Sequence, residues 1–254
     1  MKLRVGQIKV VPVKWDMTAN AQTLKAILDQ LAAHQPDVVV TPECFLDGYC
    51  ANEESVSKEG MCDYSIDPDQ DELVRHIRSW ASANQCWVIF GCSRRGEDGN
   101  YNSALIIDRE GNLAGVYDKT HLQAHDKKYQ PGAGLNVYES DFGKFGVMIC
   151  ADRRWPETVR TMAVKGARII FNPTYGMSCD LNLAVMRARS FENECFIAFT
   201  HPSQSLVTGP DGSVVSNNTD DQATYAVTEI DLSDVDAARE LVLSHLKDRR
   251  TDLY

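Results

Sequence analysis

A chain of 254 residues with 43% hydrophobic and 24% charged side chains can bury a sizeable core and has the composition of a globular protein. Its net charge of −10 argues against nucleic acid or an anionic membrane surface as a partner, and no apolar run is long enough to cross a bilayer. Eight cysteines at irregular spacing, with no Cys-x-x-Cys, read as reduced thiols of a cytoplasmic protein, and the first residues lack the apolar stretch of a signal peptide.

Val5 to Val13 reads as a first strand, followed by Leu24, Ile27, Leu28 and Leu31 at helical spacing up to His34–Gln35–Pro36. Val38–Val39–Val40 has the all-apolar character of a strand covered on both faces, and it ends abruptly in Thr41–Pro42–Glu43. Residues 47–69 suit a long loop over a site, and Pro68 with Asp69, Asp71 and Glu72 is expected to open a second helix. Cys86 to Phe90 is the next strand. Ser103–Ile107 and Leu113–Tyr117 form a hairpin whose second arm runs into Asp118–Lys119–Thr120–His121–Leu122.

Phe145 to Ile149 is a short apolar run, and Pro156 suits the first turn of a helix with Val159, Met162 and Ala163 on one face. Cys150 therefore falls between a strand end and a helix start, where open α/β sheets bind ligands and where a thiol pKa can be lowered. Then come a strand at Arg168–Phe171, a turn at Asn172–Pro173, a helix from about Asp180 to Glu194 and a strand at Cys195–Thr200. A hairpin around Gly209–Pro210–Asp211–Gly212, a strand at Thr224–Ile230 and a charged tail complete the chain. The same order of elements occurs twice in outline, which predicts one domain over 1–254 built as a pseudo-duplicated sheet sandwich.

Glu43, Lys119 and Cys150 each lie just past a predicted strand. If those strands share one edge, the three converge as a carboxylate base, an oxyanion-stabilising ammonium and a thiol nucleophile, a set suited to acyl transfer. Singly, each also reads as an ordinary loop acid, a solvated lysine or a buried structural cysteine.

Thr41–Pro42–Glu43, Asp118–Lys119–Thr120–His121–Leu122 and Gly146 to Glu157 resemble the three signature blocks of the nitrilase superfamily of carbon–nitrogen hydrolases. The likeness extends through Asn172–Pro173, Arg187 to Asn193, Gly209 to Gly212 and Arg249 to Tyr254. It implies a four-layer α–β–β–α sandwich, a Glu43–Lys119–Cys150 triad, no cofactor and no metal, a small amide or ureido substrate, and a homodimer or larger homo-oligomer. It also implies an oxyanion donor in the backbone N–H after Cys150. Many members carry a second glutamate between the lysine block and a Pro-Gly. Here that stretch is one residue short, and Asp126 is the candidate for the role. The Asp152–Arg153–Arg154–Trp155–Pro156–Glu157 run is similar to that of N-carbamoyl-D-amino acid amidohydrolases, which makes Arg153 and Arg154 candidates to hold a substrate carboxylate. Tyr49 and Asn172 are further substrate-binding candidates. The arginines equally suit local ion pairs.

Three other readings stay open. His121 and His125 are four apart and followed by Asp126, so on a helix they would offer a metal two imidazoles. A nitrile in place of an amide needs the same triad. A catalytically silent binding or scaffold protein could also keep this fold.

Overall fold

The computed structural model describes residues 1–253, and in chain order its strands and α-helices are β1 (Lys2–Ile8), α1 (Met17–Ala32), β2 (Val38–Val40), α2 (Glu72–Asn84), β3 (Trp87–Arg95), β4 (Asn100–Ile107), β5 (Leu113–Asp118), β6 (Val137–Tyr138), β7 (Phe145–Val147), α3 (Pro156–Val164), β8 (Ile169–Pro173), α4 (Asp180–Asn193), β9 (Phe196–His201), β10 (Gln204–Thr208), β11 (Val214–Asn218), β12 (Tyr225–Asp231) and α5 (Ser233–Glu240). Two six-stranded mixed sheets result, ordered β12-β1-β2-β3-β4-β5 and β11-β10-β9-β8-β7-β6.

Alternation along the central strands sets the layers. Val38 and Val40 join Leu3, Val5 and Ile89 in a core shared with Phe145, Val147, Ile169 and Phe171 of the other sheet. Val39 points the opposite way, to Leu24, Leu28 and Leu31 of α1 and Ile77 and Trp80 of α2. On the far side Ile170 and Ile197 face Val159 and Met162 of α3 and Met186 of α4. Helices thus cover the outer faces and the two sheets pack on each other, an α–β–β–α sandwich. Burying each large apolar side chain in these layers contributes about 1.5–3 kcal/mol.

The sheets are also tied near the site. Gln7 on β1 donates from Nε2 to the Phe199 carbonyl at 2.8 Å and to Thr200 Oγ1 at 3.0 Å on β9.

Several boundaries differ from the sequence reading. β1 stops at Ile8, because Asn20 holds the chain beyond it, accepting from Val13 N–H and donating to the Val13 carbonyl. α2 begins at Glu72, since Asp71 caps it by accepting from the N–H groups of Leu73 and Val74, and Pro68 lies outside. Asn172 and Pro173 continue β8 in register with Phe199 and Thr200, so they form no turn. β6 was not anticipated, being two residues long, and the charged tail contains α5. Among the described residues no helix is long and apolar enough to cross a membrane.

Candidate active site

Glu43 follows β2 through Thr41, whose N–H bonds Ile89 and whose hydroxyl accepts from Gly91 N–H at 2.8 Å. Gly91 is needed here: a Cβ at that position would lie 2.2 Å from the Pro42 carbonyl oxygen. The segment thus crosses tightly over β3 and drives Glu43 inward, where it is completely buried. Its Oε1 accepts from Lys119 Nζ and from Asn102 Nδ2, both at 2.8 Å, and its Oε2 accepts from Tyr175 N–H at 3.0 Å. With four or so lone-pair positions and three donors, this carboxylate keeps room to take a proton.

Lys119 is delivered by the end of β5, which runs parallel to β3 because both pair antiparallel with β4. Gly132 packs under it, with N–H donating to the Lys119 carbonyl at 2.9 Å, and a Cβ there would sit 2.0 Å from the Asp118 carbonyl oxygen. The ammonium is fully buried and spends its three protons on Glu43 Oε1 at 2.8 Å, Asp126 Oδ2 at 2.7 Å and Tyr49 Oη at 3.2 Å. Burial alone disfavours its charge, but the charges of Glu43, Cys150 and Asp126 outweigh that and hold its pKa well above the ordinary lysine value.

Cys150 opens a single turn of 3₁₀ helix, Cys150–Arg154, that intervenes between β7 and α3. Its backbone lies in the left-handed region, φ 47°, a conformation that costs a non-glycine residue of order 1–3 kcal/mol and needs its surroundings to hold it. Asp152 supplies that hold. Its Oδ2 accepts from Ile149 N–H and Tyr117 hydroxyl, and its Oδ1 accepts from Thr120 hydroxyl and His121 N–H, with His121 Nδ1 at 2.8 Å. The cysteine turn and the lysine loop are thereby fastened to one buried carboxylate.

The Cys150 thiol departs from the sequence expectation. Burial and the neighbouring Glu43 charge push its pKa up, and Lys119, Arg153 and the Gly176 backbone only partly offset them. A shift in that direction favours the protonated thiol, and a nucleophile at this position would call for a base. It borders a cavity of about 80 Å³ lined by Gln123, Cys150, Ala151, Arg153, Arg154, Gly176 and Met177.

The two arginines separate. Arg153 is 1% exposed; its Nε donates to Asn182 Oδ1 at 2.6 Å and its Nη2 to the Gly176 and Met177 carbonyls at 3.0 Å. Its Nη1 is buried without a partner among the described residues. Arg154 is exposed, with Nη2 3.4 Å from Met177 Sδ. Among the described residues no ion pair with an acid accounts for Arg153, whose hydrogen-bond partners there are all neutral.

Asp126 is fully buried beside Lys119, and its carboxylate also accepts from Gln123 N–H at 3.1 Å and Tyr49 hydroxyl at 2.6 Å. Tyr49 thus turns its hydroxyl to this pair. Asn172 donates to the Met148 carbonyl at 3.1 Å and braces the strand end just before Cys150. The metal alternative loses its geometry: His121 lies outside the 3₁₀ turn Ala124–Lys128 and bonds Asp152, whereas His125 sits against Tyr49. Among the described residues no group of three His, Cys, Asp or Glu side chains is placed to hold a metal.

Sequence reasoning missed Asn102, Asp152 and the Tyr175 N–H. Asp152 carried a signal, an acid two residues past the key cysteine. Asn102 carried none, because its place follows from the pairing of β4 with the lysine loop, where Lys119 N–H bonds the Asn102 carbonyl.

A model of the carbon–nitrogen hydrolase family matches residues 2–240. A Pseudomonas protegens protein described as a hydrolase in the pqqF 5′ region is 30% identical over 271 residues, spanning 99% of this chain and 90% of its own. An Arabidopsis thaliana N-carbamoylputrescine amidase is 30% identical over 188 residues, 61% of this chain and 62% of that one. In three dimensions a carbon–nitrogen hydrolase from Helicobacter pylori superposes with a TM-score of 0.87 at 23% identity, covering 100% of this chain and 97% of the other.

Proposed function

Because this chain belongs to the carbon–nitrogen hydrolase family, we propose that it hydrolyses a small amide or N-carbamoyl compound bearing a free carboxylate, through a thioester on Cys150. The observation that carries the mechanism is the buried Glu43–Lys119 pair beside a thiol too weakly acidic to ionise alone.

Glu43 takes the proton from Cys150 as sulfur attacks the carbonyl carbon. The oxyanion is held by Lys119 and the Ala151 N–H, and Glu43 passes its proton to the departing nitrogen as the C–N bond breaks. Water then attacks the thioester and gives a proton to Glu43. The C–S bond breaks and that proton returns to sulfur, which restores the resting thiol. Asp126 gives the ammonium its second carboxylate partner, in the role expected of a second glutamate.

The substrate class rests on Arg153. A buried guanidinium with only neutral partners and an unpartnered Nη1 is short of an anion, and a substrate carboxylate in the Cys150 cavity supplies one. The small cavity favours a short acyl or ureido group. Similarity to an N-carbamoylputrescine amidase supports the ureido arm. Self-association belongs to the same reading, supported by the exposed row Leu241, Val242 and Leu243. Eight free thiols suit the reducing cytoplasm.

The test is a turnover screen of small amides, N-carbamoyl acids and their carboxyl-blocked analogues, with ammonia detected. Release from the acids and little from the blocked forms is expected. Equal release refutes the carboxylate assignment, and none from either series refutes the substrate class.

A further inference from the structure

The Tyr49 hydroxyl is bonded as fully as a phenol can be. It has one proton, and the 2.6 Å bond to Asp126 Oδ1 takes it. Lys119 has only donors, so the 3.2 Å contact makes the phenol oxygen an acceptor. His125 Nε2, 3.1 Å away, must then donate as well, which assigns the His125 proton to Nε2. The tyrosine is held there against local preference, with φ 62° and ψ 51°, by Cys50 N–H and Ser93 N–H bonding Asp47 on either side of the loop.

This saturation matters for Lys119. All three of its protons are engaged in the resting site, so it cannot bond an oxyanion without releasing one partner. Two partners are carboxylates at 2.7 and 2.8 Å, and the third is a neutral oxygen at 3.2 Å. The carboxylate contacts are full ion pairs and shorter, whereas the phenol oxygen carries no charge and lies farther off, so the tyrosine bond is the one to yield. Its oxygen is not left bare, since Asp126 and His125 remain.

We infer that Tyr49 is a positioning residue for the hydrolysis: its hydroxyl occupies the third donor site of Lys119 in the resting enzyme and surrenders it to the oxyanion. The inference rests on the catalytic reading above, in which Lys119 holds that oxyanion. Without the hydroxyl, the idle N–H is free to turn to the Cys150 sulfur, whose ionised form attracts the Lys119 ammonium. Lys119 then stabilises ionisation of the Cys150 thiol at the expense of the oxyanion.

Tyr49→Phe keeps the ring stacked edge-on with Tyr175, 5.3 Å between centroids, and removes only the hydroxyl. Two measurements test it. The pH dependence of Cys150 alkylation by iodoacetamide, read on the Cys150 peptide by mass spectrometry, needs no substrate and so stands even if the substrate class is wrong. Its midpoint should fall in the variant, and an unchanged or raised midpoint overturns the inference. With succinamate, a small amide bearing a free carboxylate, kcat should drop about tenfold and KM change by less than about twofold, as for loss of one transition-state hydrogen bond. A raised KM with kcat retained would make Tyr49 a substrate contact instead. Should Tyr49→Phe fail to fold, His125→Leu serves: with one donor fewer on the phenol, Lys119 is harder to release, so kcat should fall while the alkylation midpoint does not. Wild-type kcat in His125→Leu overturns the inference.

Discussion

Lys119 Nζ lies 2.7 Å from Asp126 Oδ2, as close as it lies to its other carboxylate partner, Glu43 Oε1, at 2.8 Å. Asp126 achieves this despite being a methylene shorter than glutamate because its 3₁₀ turn brings the backbone to the lysine, with the Gln123 N–H bonded to the same oxygen. One buried cation thus holds two buried anions, and removing it leaves both uncompensated. Lys119→Met should therefore cost about 3–5 kcal/mol in stability as well as activity, measured by urea unfolding. A stability within about 1 kcal/mol of wild type would show that the carboxylates are hydrated or protonated in the fold.

Glu43→Gln separates two effects that normally move together. Losing the Glu43 charge lowers the Cys150 pKa, and releasing Lys119 from its ion pair lowers it further, so iodoacetamide should alkylate Cys150 faster at pH 7.5. Turnover should nonetheless fall by roughly 10²–10⁴-fold, because no base remains to carry protons. Parallel loss of both rates would contradict the base assignment.

Much of this was legible in the sequence where short apolar runs end in polar residues. Val38–Val40 declared a strand buried on both faces, and the position of Glu43 followed from its abrupt end. What the pattern could not supply was everything set by pairing across the sheet or by burial. Asn102 reaches Glu43 only because β4 runs beside the lysine loop. The direction of the Cys150 shift depends on desolvation, which strand-end position does not reveal, and a helix N-terminus argument pointed the wrong way. Arg153 and Arg154 are adjacent and chemically alike, yet one is buried and the other exposed.

That difference predicts which arginine reads the substrate. Arg153→Lys keeps a charge but loses the planar fork, and should erode the preference for carboxylate over blocked substrates by roughly tenfold to a hundredfold in kcat/KM. Arg154→Lys should leave the preference within about twofold, since its guanidinium is exposed. The reverse order would move the anion site to the rim.

His201 sets an acid limit on stability. Burial, with the nearby Arg153 charge adding to it, lowers its pKa to about 4, from 6.5 for an ordinary histidine. The folded state thus binds this proton less readily than the unfolded chain. The stability it confers is present above pH 6.5 and is lost as the pH falls from 6.5 through 4. His201→Gln should flatten the decline in thermal midpoint across that window. A decline as steep as wild type would assign the acid limb to other groups.

The central claim, hydrolysis through a thioester on Cys150, is tested most directly by trapping the intermediate. Wild-type protein is mixed with a substrate from the screen, quenched in acid within the first turnover, and analysed by peptide mass spectrometry. The account predicts a mass increase equal to the acyl or carbamoyl group on the Cys150 peptide, absent in a folded Cys150→Ala variant whose turnover is lower by about 10⁴-fold or more. A Cys150→Ala variant that turns over at a comparable rate, or an adduct mapped to another residue, would contradict it.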